Sequence, residues 1–257
     1  MRHLLLAIGL NAIPLIGVWK FGWSGGTVLL LFWIETLLGH FGAMIKIRRH
    51  ATLTRKRGHF GYVAVDKAGT QKGSYFAHFS SIAMVFTFAH GIFLGAILAM
   101  LAVNRPELVQ FQVHWLDLRN GAALVLLLVL VDLAMDLPGI GARSFFWLEN
   151  QTGKRLSRVL VMHLTIIFGF GAMALSESPM GFLLVFLALK TVFDAMSSGV
   201  RDDAPMDAGF PDKPPALLRY LDSKRKDRKE SLDEYWAKGR DEAMKRRRRH
   251  EEVVPAE

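Results

Sequence analysis

The sequence predicts an all-α fold, a six-helix transmembrane bundle over residues 1–197 with a polar, partly helical cytoplasmic tail over 198–257. Three observations predict it. Mean hydropathy is +0.25 with 51% hydrophobic residues, above the range where soluble domains sit. Six apolar runs approach or reach the length needed to cross hydrocarbon, and they are continuous rather than alternating, so helices and not barrel strands satisfy their backbones. Lys and Arg number 28 in the connections on one side of these runs and three on the other, the asymmetry expected of a cytoplasmic side.

The first run, Leu4–Val18, is short and follows Arg2, which gives it the look of a signal peptide; Asn11 and Pro14 interrupt the apolar stretch such a segment would need. Ser24–Ile45 and Tyr75–Val103 are full-length spans, joined by a segment from Lys46 to Lys72 that holds eight Lys/Arg against one acid, Asp66. Gly121–Met135 is short, so its ends are covered by protein or the bilayer thins around it. Val159–Leu175 and Pro179–Met196 complete the set. Between the fourth and fifth runs, Phe145, Phe146, Trp147 and Leu148 are too apolar for an ordinary loop. They read as an aromatic-belt anchor or as an interfacial helix that could act as a lid.

After Ser198 the composition shifts. Pro205, Pro211, Pro214 and Pro215 punctuate a linker. A charged helical stretch follows from about Ala216 to His250, with a narrow stripe of Leu217, Leu218, Leu221, Leu232, Trp236 and Ala243. Such a stretch is either solvated or lies on the inner leaflet. The implied partners are the bilayer and anionic inner-leaflet lipids, met by the Lys46–Lys72 loop and by Arg246–Arg249. The formal charge of +9 is no nucleic-acid signal, because the excess sits in one loop and no recognition module accompanies it. With both ends cytoplasmic, the expected location is a bacterial inner membrane. Absence of cysteine excludes disulfides, thiol catalysis and thiolate-ligated metal or clusters, so any metal must use His, Asp or Glu.

The informative residues are ionisable groups inside the spans, since a charge at the bilayer centre costs at least about 2.5–3.5 kcal/mol. Glu35, His90 and Lys190 fall near the middle of their runs. At about 1.5 Å per residue, His163 and Asp132 lie roughly 6 Å to the cytoplasmic side and His40 and Asp194 roughly 8–9 Å. Asp136 and His78 come near the inner interface. The outer half is almost purely apolar, so the expectation is a polar pocket open to the cytoplasm. Lys190 and Asp194 share a helix face. Asp132 and Asp136 do too, and two adjacent carboxylates require a cation, a proton or the Lys190 ammonium.

The primary candidate site is Glu35, His90, His163, Lys190 and Asp194, with His40 and Asp132 as second choices. Three readings stand side by side. The pocket binds or conducts a proton, cation or small polar ligand. Alternatively, Glu35, His90, His163 and Asp194 hold a divalent metal for an intramembrane enzyme. Or the charges form a salt-bridge network that only fixes helix packing. Bis-histidine haem is disfavoured, because His90 and His163 differ in depth by about 7 Å. Small residues at Gly39 and Ala43, and at Gly91, Gly95 and Ala99, let helices approach closely.

Phe32-Trp33-Ile34-Glu35 followed by Gly39, His90-Gly91-Ile92-Phe93, and Lys190-Thr191-Val192-Phe193-Asp194 resemble signature stretches of an uncharacterised prokaryotic polytopic membrane family, domain of unknown function 6498. The resemblance covers about Leu4 to Ser198. In that family's pattern an Asn follows the Glu and a His follows the Asp one turn on, where this chain has Thr36 and Ser198. What the resemblance implies is a membrane-embedded fold; it brings no activity.

Overall fold

The computed structural model describes residues 2–63, 72–104, 111–176, 185, 188, 189, 191, 192, 213–223 and 231–255. Their helices are α1 (Arg2–Phe21), α2 (Gly25–Thr54), α3 (Tyr75–Asn104), α4 (Trp115–Asp136), α5 (Phe145–Ser176), α6 (Ala216–Ser223) and α7 (Leu232–Glu251). Two 3-10 turns, Arg57–His59 and Leu137–Ala142, and a short antiparallel ribbon of β1 (Tyr62–Val63) with β2 (Lys72–Gly73) join them. The all-α expectation holds. α2, α3 and α4 with its 3-10 extension to Ala142 are each long and apolar enough to cross a membrane. The expected sixth span, Pro179–Met196, lies outside the described residues apart from five positions, one of which, Leu189, packs on the core.

Helix limits differ from the apolar runs in a systematic way. α2 continues past Ile45 to Thr54, and α5 begins at Phe145 instead of Val159. A hydropathy scan stops at the first charges, but backbone hydrogen bonding does not, and Lys and Arg are good helix formers. Lys46, Arg48 and Arg49 therefore stand on a helix and not in a loop. At its start α2 is capped by Ser24, whose Oγ accepts from the Thr27 N–H at 3.1 Å. At its end Arg55 takes a left-handed conformation (φ 50°, ψ 29°) and donates its N–H to the Ala51 carbonyl.

α2 is the central element and packs against α1, α3, α4 and α5. Two apolar clusters result. One, toward the start of α2, gathers Leu10, Trp23, Leu31, Phe32, Leu94 and Val125; the other, toward its end, gathers Ile47, Tyr75, Phe79, Ile140, Phe145 and Leu148. Phe145, Phe146, Trp147 and Leu148 are thus buried first-turn residues of α5, neither a surface anchor nor a separate interfacial helix. By contrast, α3 and α4 leave large apolar side chains on the outside, Ile92 75% and Val103 77% exposed among them, with Phe86, Phe93, Leu127 and Leu130. Trp19, Phe21 and Trp115 are exposed where α1 ends and α4 begins.

The charged tail is not simply solvated. α7 opens with a capping box, in which Ser231 Oγ accepts from the Glu234 N–H and Glu234 accepts from the Ser231 N–H, both at 3.2 Å. It then packs against the Arg57–His59 turn and the start of α5. Beyond it, Val253 pairs with Lys56 in an antiparallel bridge flanked by Arg57 N–H to Glu252 O (2.7 Å) and Val254 N–H to Arg55 O (3.0 Å).

Candidate functional site

The helical face of α2 that reads Gly39, Gly42, Ala43 and Lys46 meets Val129, Asp132 and Leu133 of α4 and Leu148, Gln151, Thr152 and Arg155 of α5 around a narrow cleft. The cleft has room for roughly one water. Charges converge on it. Lys46 Nζ lies 2.8 Å from Asp132 Oδ2 and 2.5 Å from Asp136 Oδ2, and Arg155 donates a second bond to Asp132 Oδ2 at 2.9 Å. Among the described residues, Lys46 and Arg155 thus stand against the two aspartates; Lys190, the ammonium expected there as an alternative to a soluble cation or a proton, lies outside the described residues.

His40 sits fully buried beside this cleft. Its Nε2 reaches the Arg155 carbonyl at 3.3 Å and its Nδ1 the Thr87 hydroxyl at 2.9 Å. A carbonyl only accepts, so Nε2 carries a proton, while Nδ1 shares a hydrogen bond with the Thr87 hydroxyl. His40 thereby bridges α3 and α5. Glu35 and His90 are also buried, 2% and 4% exposed, and His90 Nδ1 donates to the Phe86 carbonyl of its own helix at 2.5 Å. His163 belongs to α5, but its side chain lies outside the described residues, as do Lys190 and Asp194 altogether. Among the described residues no group of three or more His, Asp or Glu could hold a metal ion.

One helical turn beyond Lys46, a second polar layer begins that sequence reasoning did not single out. His50 Nε2 donates to the Arg143 carbonyl at 3.1 Å, which leaves Nδ1 to accept from His59 Nε2 at 2.6 Å. Tyr62 donates to Glu149 at 2.9 Å, and Tyr75 hydrogen-bonds the cleft residue Thr152. His250 of α7 stacks on Tyr62 with centroids 5.2 Å apart and meets the edge of Phe145 at 5.4 Å. Glu251 accepts from the Phe146 N–H at 2.9 Å, at the positive end of α5, and pairs with Lys56 at 2.6 Å.

Burial, then the positive charges of His50 if protonated and of Lys56, push His59 down to about 3. Burial, then Arg246, pushes His250 down to about 4, Arg249 adding to the effect and Glu251 opposing it. Both rings are held neutral, so the folded state binds fewer protons than the unfolded chain below pH 6.5. Their contribution to stability is complete above about pH 6.5 and is lost as pH falls from there toward those lowered values. The melting temperature of the detergent-solubilised protein is therefore expected to decline between pH 6.5 and 5, and the double variant His59→Gln, His250→Gln to show a flatter profile. An unchanged slope would refute the assignment.

A family model described as a family of unknown function (DUF6498) matches residues 2–226. No curated protein and no solved structure matches the chain.

Proposed function

Since the chain belongs to DUF6498, a family of unknown function, membership names no reaction, and we propose from its own residues that it is a six-span protein of the bacterial inner membrane, both termini cytoplasmic, that binds or passes a proton or a small cation at the Asp132–Asp136 cleft. The membrane part is supported by three long apolar helices, by the exposed apolar surface of α3 and α4 that hydrocarbon and not water would cover, and by the 28-to-three distribution of Lys and Arg. Exposed Arg48 and Arg49 follow exposed Phe41 and Ile45 on one face of α2, which suits the boundary between acyl chains and anionic headgroups.

The observation that carries the site is the single ammonium shared by two carboxylates. Lys46 acts as a tethered counter-ion, and a soluble cation or proton that replaces it leaves the charge balanced. Glu35 and His40, buried on α2, and His90, buried on α3, are further titratable groups of the proposal, and the expected contributions of His163, Lys190 and Asp194 belong to it as well. The size of the cleft favours an ion over an organic substrate.

Titration of the purified protein with Na+, K+, Mg2+ and Ca2+ by calorimetry tests this. Lys46→Gln should bind a cation at least tenfold more tightly than the wild type, and adding Asp132→Asn should abolish the gain. If neither protein takes up an ion and Asp132→Asn changes only the melting temperature, the network is glue. That second reading has its own support, because Lys46, Asp132, Asp136 and Arg155 pair with one another and join α2, α4 and α5 at one point.

A further inference from the structure

The family match ends at residue 226, yet α7 and the residues after it make a set of polar contacts with the rest of the chain. Val253 and its neighbours add a strand-like edge to Arg55–Arg57, and Arg57 pairs with Glu252 at 2.7 Å. The Arg55 guanidinium donates to the Pro255 carbonyl at 3.0 Å, and Arg247 lies over the Phe146 ring at 3.9 Å. Glu251 ties the first turn of α5 to Lys56, whose ammonium also donates to the Arg143 carbonyl at 2.9 Å. Through His250 the strap also touches Tyr62 and Phe145, the edge of an apolar layer that continues to Tyr75 and Leu148. Leu148 lines the cleft, and so does Thr152, the partner of Tyr75.

We infer that Leu232–Pro255 is a releasable strap that closes the cytoplasmic end of the Asp132–Asp136–Lys46 cleft, an inference that rests on the ion-site reading for its purpose but not for its geometry. Docked, the strap clamps the start of α5 and seats His250 on Tyr62, so the aromatic layer is sealed. Released, it frees the Phe146 N–H and the Lys56 ammonium to water. Apart from the ring contacts of His250 and Arg247, the groups that hold the strap are polar or charged and are well solvated when undocked, so docking rests on exchangeable contacts that suit a gate. The left-handed Arg55, at the end of α2, accepts at its carbonyl from the Val254 N–H and donates its guanidinium to the Pro255 carbonyl. Undocking removes those bonds.

The chain has no cysteine, so cysteine chemistry reports only on introduced sites. Lys56 and Val253 form the non-hydrogen-bonded pair of the bridge, at a Cα separation of about 4.5 Å, which a disulfide spans. Lys56→Cys with Val253→Cys locks the strap when oxidised and, having lost the Lys56–Glu251 pair, favours release when reduced. Gln151→Cys, on the cleft wall, is then labelled with a water-soluble maleimide and its modification followed by peptide mass spectrometry in the full-length protein in nanodiscs. Labelling at position 151 is expected to be at least tenfold faster reduced than oxidised, and Glu251→Gln in an otherwise wild-type strap should speed it as well. Equal rates with the strap locked and free overturn the strap. Cation titration of the same two states separates the proposals: gated labelling without ion binding removes the ion site alone, whereas ion binding at equal rates in both states removes the gate alone.

Discussion

Replacing Lys46 with Met is expected to destabilise the protein by about 3–5 kcal/mol, because it leaves buried carboxylates without their cation. The side chains of Lys46, Asp132 and Asp136 are 9%, 13% and 7% exposed, so water cannot take over the lost interaction cheaply. Arg155 still neutralises Asp132, and the deficit falls mainly on Asp136. Adding Asp136→Leu should therefore recover most of the loss, since replacing a buried ion pair by apolar residues of similar size is often neutral or stabilising. The two substitutions will not add, and the size of the departure measures the coupling between the groups. Thermal unfolding in one detergent, with the double variant as reference, reads both numbers. A single Lys46→Met variant within about 1 kcal/mol of wild type would mean that the network is solvated and carries no strain worth exchanging for an ion.

The same cluster shows what a linear reading of this chain can reach. Asp132 and Asp136 are four apart, so their shared face and their need for a cation follow from helical geometry alone. Which cation does not follow, because Lys46 stands 86 positions from Asp132 and 90 from Asp136. The apolar run stops at Ile45 and leaves Lys46 in a loop, so the sequence offers only a cation, a proton or the Lys190 ammonium. Had α2 been extended through its charges, the face of Gly39, Gly42, Ala43, Lys46 and His50 would have been legible as one small-and-polar stripe, and Leu148, Gln151, Thr152 and Arg155 as its counterpart on α5. The buried Glu35, His40 and His90 were readable from the cost of placing them in an apolar run; the bridging role of His40 between Thr87 and Arg155 was not. Nor was the docking of α7. A tail with fifteen basic and fourteen acidic residues offers no periodic apolar signal strong enough to mark it, and the contacts that seat it are a backbone bridge, one carboxylate at a helix start and one stacked imidazole. The small-residue stripe of α3 was half right. A Cβ at Gly91 would come within 2.7 Å of the Trp33 ring, which is fixed by its bond to the Thr87 carbonyl, whereas nothing lies within 4 Å of one at Gly95.

That contrast sets the second large expectation, at the other end of the bundle. A Cβ on Gly26 would stand 2.1 Å from the Phe111 carbonyl oxygen and 2.8 Å from its carbon. Backbone, unlike a side-chain tip, has no alternative rotamer to adopt. It is also tethered: Ser24 Oγ donates to the Gln112 carbonyl at 2.5 Å, and the His114 N–H donates to Thr27 Oγ1 at 2.9 Å. For the Phe111–His114 segment to retreat by the ångström that an alanine needs, those bonds and the cap of α2 must loosen together. Gly26→Ala is therefore expected to cost about 3 kcal/mol, the upper end of overpacking penalties. Gly95→Ala, the same chemical change in open space on α3, should be neutral or stabilising by up to about 1 kcal/mol through the better helix propensity of alanine. Melting both variants beside the wild type checks the pair. Because α2 also carries Lys46, about 30 Å along the same rod, a Gly26→Ala protein that melts early yet keeps the cation response of its Lys46→Gln derivative would place the two ends of α2 in separate cooperative units. Loss of both together would make the outer clamp part of what holds Lys46 between its two carboxylates.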